Sequence, residues 1–325
     1  MATYKEIHGT NIEVLSSDPS NPVEGQIWYN STSNLLKGRS VSTVGSWASG
    51  GTMAVAKTNF AGAGTQTAAL AFGGTGPGTG TESYDGTSWT NLGSIFSQDV
   101  GNNAGCGTQT AALSFGGQPP PTATAGTSEF DGSSWTAGGN LIGTTLRAAG
   151  AGTQTAGLKV AGSPGSAPYN SATTEEYNGS SWTAGGAIPT ETKDLGACGL
   201  QTAAAAFGGD SPTPTQTNEY NGTSWTSGGT VPLSLNENKG FGLQTAAVSV
   251  GGTPTPSGIT KTMLYDGSSW TVGTNALSRV ASFATAKSGT QSAGLIFGGE
   301  GPPPTGASQE YNGPGQPETV TISGS

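Results

Sequence analysis

The chain has 325 residues, 56 of them glycine, with a formal net charge of −9 and only 10% charged residues. Its 11 Lys and Arg are spread thinly, which speaks against nucleic-acid binding, since that needs a clustered basic surface. No window offers the roughly 20 apolar residues of a membrane span, and Met1-Ala2-Thr3-Tyr4-Lys5-Glu6-Ile7-His8 lacks the apolar core of a secretory signal.

Residues 1–42 stand outside any repeat. Asp18-Pro19-Ser20-Asn21-Pro22 predicts a turn, Gly25-Gln26-Ile27-Trp28-Tyr29-Asn30 a strand, Ser31-Thr32-Ser33-Asn34 a second turn and Leu35-Leu36-Lys37-Gly38 a returning strand. A lone hairpin is marginal in water. This one is therefore expected to act as an arm that docks on a larger body, with Trp28 and Tyr29 as assembly residues.

Residues 43–313 are organised by repetition. Gly64-Thr65-Gln66-Thr67-Ala68-Ala69-Leu70-Ala71-Phe72-Gly73-Gly74 recurs with Gln66, Gln109, Gln154, Gln201, Gln244 and Gln291 as markers, 43 to 47 residues apart. Each of the first five copies is followed by a segment like Tyr84-Asp85-Gly86-Thr87-Ser88-Trp89, ending at Trp89, Trp135, Trp182, Trp225 and Trp270. Strand-like repeats of this length predict a solenoid or a propeller. The chain ends decide between them. Trp47-Ala48-Ser49-Gly50-Gly51 matches the Trp strands but has no repeat in front of it, while the last copy reaches Glu310-Tyr311-Asn312-Gly313 and then lacks its Trp. The two part-units complement each other, as in a ring whose first strand completes its last sheet and leaves no open edge. The expectation is an all-β, six-bladed β-propeller of four-stranded blades, closed by the strand of Trp47. The tail 314–325 carries Glu318-Thr319-Val320-Thr321-Ile322-Ser323, whose alternation is available as an extra strand or as a competitor of Trp47.

Within a unit, four strands a to d are predicted. Strand a is short and small, as six innermost strands around one axis require. A Gly two residues before each Gln (Gly64, Gly107, Gly152, Gly199, Gly242, Gly289) fits a tight a–b hairpin with positive φ. In strand b, Ala68, Leu70 and Phe72 point one way, and Ala69 and Ala71 the other. Asp-Gly or Asn-Gly forms the c–d turn, and the Trp of strand d fills space between blades. Cys106 and Cys198 occupy equivalent positions in non-consecutive repeats, which predicts packed, unpaired thiols.

Only the b–c connection varies freely in length, from 9 to 14 residues between the last Gly and the next aromatic. These connections share one rim and are rich in Pro and Thr. Pro stiffens such loops, so the rim is a candidate binding surface, with Pro120, Tyr169, Asp210, Pro212, Pro254, Glu300 and Pro303 as its residues. The alternative is that length variation is simply tolerated there.

The double Gly after strand b (Gly73-Gly74), then Tyr84, then Trp89, repeated along 45–313, resembles the kelch family of propellers, which includes the central domain of galactose oxidase. The resemblance implies four-stranded blades but no single function. The fixed five-residue Tyr-to-Trp interval, and a preceding segment largely without Arg, depart from the family pattern. In the arm, Pro22-Val23-Glu24-Gly25-Gln26-Ile27-Trp28-Tyr29-Asn30 with Leu36-Lys37 resembles a segment near the start of tailed-phage fibre and other virion proteins, which implies a virion component.

No catalytic constellation is expected. His8 is the single His, too few for a triad or a typical zinc or copper site. Glu82, Glu129, Glu176, Glu219 and Glu310 recur beside the strand c aromatics and are read as a solvated strand face rather than as a glycosidase pair. Asp210 and Glu300 follow the double Gly at matching positions; calcium between such carboxylates is conceivable, but no metal or other cofactor is assigned. The expectation is a non-enzymatic phage virion protein without a signal peptide. It would be a fibre or spike subunit held to other virion proteins by its arm and binding a host surface glycan or protein through its rim. Self-association is open, and nucleic acid and membrane insertion are not expected. The alternatives are a capsid-surface decoration protein and, from another class, a secreted carbohydrate-binding or hydrolytic propeller.

Overall fold

The computed structural model describes residues 12–41, 45–74, 80–93, 100–119, 122–210, 212, 214–253, 258–278, 281–300, 305–315 and 317–322. Among them every element is a strand and none a helix. The chain divides into two units, one of 1–45 with 313–325 and one of Ser46–Asn312.

The smaller unit is one four-stranded sheet, in the order Glu13–Leu15, Ile27–Asn30, Leu35–Val41, Pro317–Thr321. The predicted hairpin is its centre, with Trp28 opposite Lys37 and Tyr29 opposite Leu36. The first strand adds in parallel. The tail adds antiparallel to Leu35–Val41, so it belongs to the arm's sheet and does not compete with Trp47. Trp28 is fully buried. Its indole donates to Asp18 Oδ1 at 3.0 Å, Asn30 Nδ2 donates to the same oxygen at 2.7 Å, and Lys37 Nζ meets Asp18 Oδ2 at 2.7 Å. Lys37, Asn30 and Trp28 together hold the Asp18 carboxyl at about 2. Trp28 is thus an internal anchor of the arm. Tyr29 is half-buried, with its hydroxyl on Asn34.

The larger unit repeats one antiparallel four-stranded sheet. The first sheet comprises Ala61–Thr65, Ala68–Phe72, Glu82–Tyr84 and Trp89–Asn91, and the second Ala104–Gly107, Ala112–Phe115, Thr127–Phe130 and Trp135–Ala137. The third has Ala149–Gly152, Gly157–Val160, Thr174–Tyr177 and Trp182–Ala184, and the fourth Gly196–Leu200, Ala203–Phe207, Thr217–Tyr220 and Trp225–Ser227. The fifth has Lys239–Leu243, Ala246–Val250, Thr262–Tyr265 and Trp270–Val272. The sixth is built from both ends of the unit: Ala284–Thr285, Ala293–Phe297 and Ser308–Asn312, with Ser46–Ser49 as its outer strand and Trp47 paired with Tyr311. Strands a touch in sequence order, and the sixth touches the first. These repeated sheets with Trp-bearing strands suggest a β-propeller.

The packing between sheets explains the repeat residue by residue. Leu70 and Phe72 cluster with Ala112 and Phe130 of the second sheet, whereas Ala69 and Ala71 cluster with Leu295 and Phe297 of the sixth. One strand therefore builds two cores, and its small face is what lets the neighbour approach. Each Trp lies over the preceding sheet: Trp135 is 4.9 Å from Phe72, Trp182 4.9 Å from Phe115 and Trp270 4.9 Å from Phe207. Each indole also donates to a hydroxyl at or next to the start of the preceding strand c, at 2.8 to 3.1 Å, from Trp47 on Thr262 through Trp89 on Ser308.

The marker Gln is a second staple. Gln109 Nε2 donates to the carbonyls of Ala69 and Tyr84, and Gln154, Gln201, Gln244 and Gln291 do the same to their own preceding sheets. Gln66 donates to Tyr311 O of the sixth sheet.

The reading of the strand c glutamates as a solvated face is corrected. Tyr84, Tyr177, Tyr220 and Tyr265 donate their hydroxyls to Glu310, Glu129, Glu176 and Glu219 of the preceding sheet. Where the aromatic is Phe130, no such partner is needed. Glu82 sits one residue out of that register and faces inward. It is fully buried, 3.9 Å from Lys57 Nζ, and accepts the Ala54 N–H at 2.7 Å.

The a–b Gly has positive φ in five sheets, 93° to 105°, but not at Gly289. The sixth sheet differs because Ser282 lies nine residues before its Gln, while the equivalent Asn59, Asn102, Arg147, Asp194 and Glu237 lie seven before theirs. Its strand a stops at Thr285, and the two added residues displace Lys287 and Ser288 from the regular hairpin. Ser288 donates to Gly64 O through its N–H and to Gly107 O through its hydroxyl, both at 2.8 Å. Lys287 Nζ donates to Ala197 O at 3.1 Å. Cys106 and Cys198 are free and buried, as expected, and burial pushes both thiols up to about 12.

Candidate functional site

Strands a begin, and strands b end, on the side that carries the variable connections. There Asn59, Asn102, Arg147, Asp194, Glu237 and Ser282 all adopt φ of 52° to 58°. This left-handed region is uncommon for side-chain-bearing residues, least so for Asn and Asp. The reason here is a backbone belt. Asn102 N–H donates to Asn59 O, Arg147 to Asn102, Asp194 to Arg147, Glu237 to Asp194 and Asn59 to Ser282, at 2.6 to 3.0 Å. Five of the six sheets thus hand a carbonyl to a neighbour, which satisfies groups that have no strand to pair with.

The side chains of the belt are charged on one flank. Arg147 Nη1 meets Asp194 Oδ2 at 3.1 Å. Lys193 Nζ meets Asp210 Oδ2 at 3.1 Å and donates to Asn170 Oδ1 at 3.0 Å. Burial, then the neighbouring Asp194, raises the Glu237 carboxyl, with Glu300 adding to it. Burial lowers the Lys239 ammonium. Lys239 lines two small cavities at the strand a starts, each of about 30 Å³. A space of that size holds ordered water and no substrate. Lys287 borders one of them from below, its ammonium lowered to about 8 by burial and by Lys239.

The sequence-predicted rim residues separate into three groups. Asp210 and Glu300 join the belt's charged flank; Asp210 is tied to Lys193, and Glu300 N–H donates to Ala281 O. Tyr169 and Pro212 are exposed on their connections. Pro120, Pro254 and Pro303 lie outside the described residues. Sequence reasoning missed the belt, whose six members share no residue type; their constant seven-residue distance from Gln in five sheets is the signal that could have found it. Among the described residues no cluster of three or more His, Cys, Asp or Glu is arranged to hold a metal ion.

The site therefore offers an irregular, charged and Pro-bearing face on a uniform scaffold. The chain is all-β, made of repeated four-stranded antiparallel sheets in an arrangement that fits a β-propeller. No protein-family model and no curated protein matches it.

Proposed function

We propose that the six sheets form a closed six-bladed, kelch-like propeller, and that the chain is a non-enzymatic phage virion component. In this reading it is a fibre- or spike-type subunit whose variable face adheres to a host surface glycan or protein. The observation that carries the adhesive role is the contrast between the two sides of the sheets. The a–b and c–d turns repeat the same staples, while the b–c connections differ in length and chemistry. A constant scaffold with one varied loop face is the arrangement by which rigid folds present binding residues. Closure is supported by the pairing of Trp47 with Tyr311 and by the staples that run from the first sheet back to the sixth. The virion assignment rests on the resemblance of Pro22–Asn30 to fibre-protein starts. The arm's own sheet, which gathers both chain ends, suits attachment to other virion proteins or to sister copies.

The test is binding of the purified full chain to an array of bacterial surface polysaccharides and to whole cells. Binding lost when the b–c connections are exchanged for the shortest one, with the melting temperature unchanged, supports the proposal. Absence of binding to any bacterial surface refutes the adhesive role. A capsid-decoration role is the second reading, favoured by the scarcity of aromatics on the face: Tyr169 is the one aromatic among the strongly exposed large apolar residues described. Measured stabilisation of particles without cell binding decides for it.

A further inference from the structure

A cavity of about 330 Å³ lies on the third sheet, beneath the longest b–c connection. It is at the small end of the range for ligand pockets, roughly 300–1,000 Å³. Its floor is a buried ion pair found as a cross-strand pair in this sheet alone. Lys159 and Glu175 face each other on strands b and c, 3.7 Å apart, with side chains 2% and 6% exposed. The other described sheets carry Ala71, Ser114, Ala206, Ser249 and Ile296 at the Lys159 position. The ammonium donates to Thr173 Oγ1 at 2.5 Å and to Thr173 O at 3.3 Å, with Glu175 as its ion-pair partner. The Glu175 Oε2 atom accepts the Ile142 N–H at 2.7 Å.

The chemistry of the lining points to a ligand. The walls alternate hydroxyls (Thr144, Ser171, Thr173) with aliphatic surface from Ile142, Pro164 and Ala187. That is the surface a sugar ring presents in return, with C–H faces between equatorial hydroxyls. The floor is electrically neutral as a pair. An anionic ligand would have to break Lys159 from Glu175, leaving a buried carboxylate uncompensated.

We propose that this cavity binds a neutral saccharide unit, on the order of one or two rings, with Glu175 and the hydroxyls as partners. Tyr169 is exposed on the same connection, between Pro164 and Ser171. The assignment deepens the adhesive reading above and rests on it.

The test uses the full chain and saturation-transfer NMR with methyl glucoside, galactoside and mannoside, N-acetylglucosamine, glucuronic acid and sialic acid. Gly143→Phe fills the cavity, because Gly143 lines it and a side chain there meets nothing within 4 Å. Leu277→Phe, at an exposed position ahead of the sixth sheet, is the control. The expected result is transfer to at least one neutral sugar, weakened tenfold or more in Gly143→Phe and unchanged in Leu277→Phe, with equal melting temperatures for all three proteins. No transfer to any neutral sugar, a preference for the acidic ones, or binding that survives Gly143→Phe overturns it. Cell attachment measured on the same proteins separates the two claims. Attachment that survives Gly143→Phe leaves the adhesive face standing and removes the cavity from it. Sugar binding without attachment does the reverse.

Discussion

Replacing Trp47 by Ala tests whether Ser46–Ser49 completes the sixth sheet. The indole is 7% exposed, stands 4.9 Å from the Tyr311 ring, and donates to Thr262 Oγ1 and Thr274 O, each at 3.1 Å. Truncating a buried aromatic to Ala costs about 3–5 kcal/mol. Each acceptor left behind adds on the order of 1 kcal/mol, less whatever water restores. We expect a loss of about 4 kcal/mol. For a unit of this size that is a fall in Tm of about 8 °C, at roughly 2 °C per kcal/mol. The matched comparison is Trp225→Ala, in a sheet whose four strands are consecutive. Trp225 is 8% exposed, 4.8 Å from Tyr220, and bonded to Thr174 Oγ1 at 2.9 Å. Scanning calorimetry of the two variants should give similar losses. A Trp47→Ala protein that melts no earlier than wild type, while Trp225→Ala melts early, refutes the pairing of the chain ends and with it the ring.

Four further outcomes follow from the staples and the arm. Tyr311 has a fully buried hydroxyl with no partner, because Leu264 stands where four of the sheets have the glutamate, so Tyr311→Phe should be neutral or stabilising by about 1 kcal/mol. Tyr220→Phe removes the donor to Glu176 and should instead cost about 1–2 kcal/mol; denaturant titration of both separates them. Gln154→Ala strips two inter-sheet bonds, to Ala112 O and Phe130 O, and should lower stability by about 1–2 kcal/mol without changing the circular-dichroism spectrum. The Asp18 carboxyl is depressed to about 2, so its support of the arm is fully present above the unfolded value near 3.8 and is lost as pH falls through about 2. The Trp28 indole N–H resonance should follow that titration, and Lys37→Ala should move its midpoint upward.

Much of this architecture could be read from the chain because repeated sheets that pack on one another must present the same surfaces again and again. The four strands of each unit, the complementary chain ends, the two-faced strand b and the packed cysteines all follow from small residues alternating with large ones at fixed distances. Gln66 and its counterparts were visible as markers without a role, since an amide that staples two carbonyls leaves no periodic signature of its own. The glutamates beside the strand c aromatics looked exposed because charge usually is; their partners are tyrosines one repeat away, a relation that local sequence does not display. The same pairing accounts for the Trp-x-x-Gly-Gly ends. Gly139, Gly186 and Gly229 each donate their N–H to the tyrosine hydroxyl of the next sheet, and a Cβ on Gly186 would lie 2.3 Å from Thr223 O. The candidate face was the least legible part. Asp210 and Glu300 were picked out by position, but the belt is held by backbone conformation, and the cavity is lined in part by Lys159, one departure in one repeat.

The two additional residues ahead of Gln291 have a consequence for how the chain finds its own order. Six near-equivalent repeats, each able to pair with the Trp strand of any other, invite mistaken partners. A sheet could be completed by a neighbouring molecule, or the chain could close one repeat early. Such errors would preserve almost every staple, and so almost all of the stability. Lys287 and Ser288 remove that degeneracy. They bond to carbonyls of the first, second and fourth sheets at once, a set of acceptors that a mispaired chain would not bring together in the same way. The irregular hairpin serves as a key, distinguishing the native arrangement from its permuted and exchanged relatives.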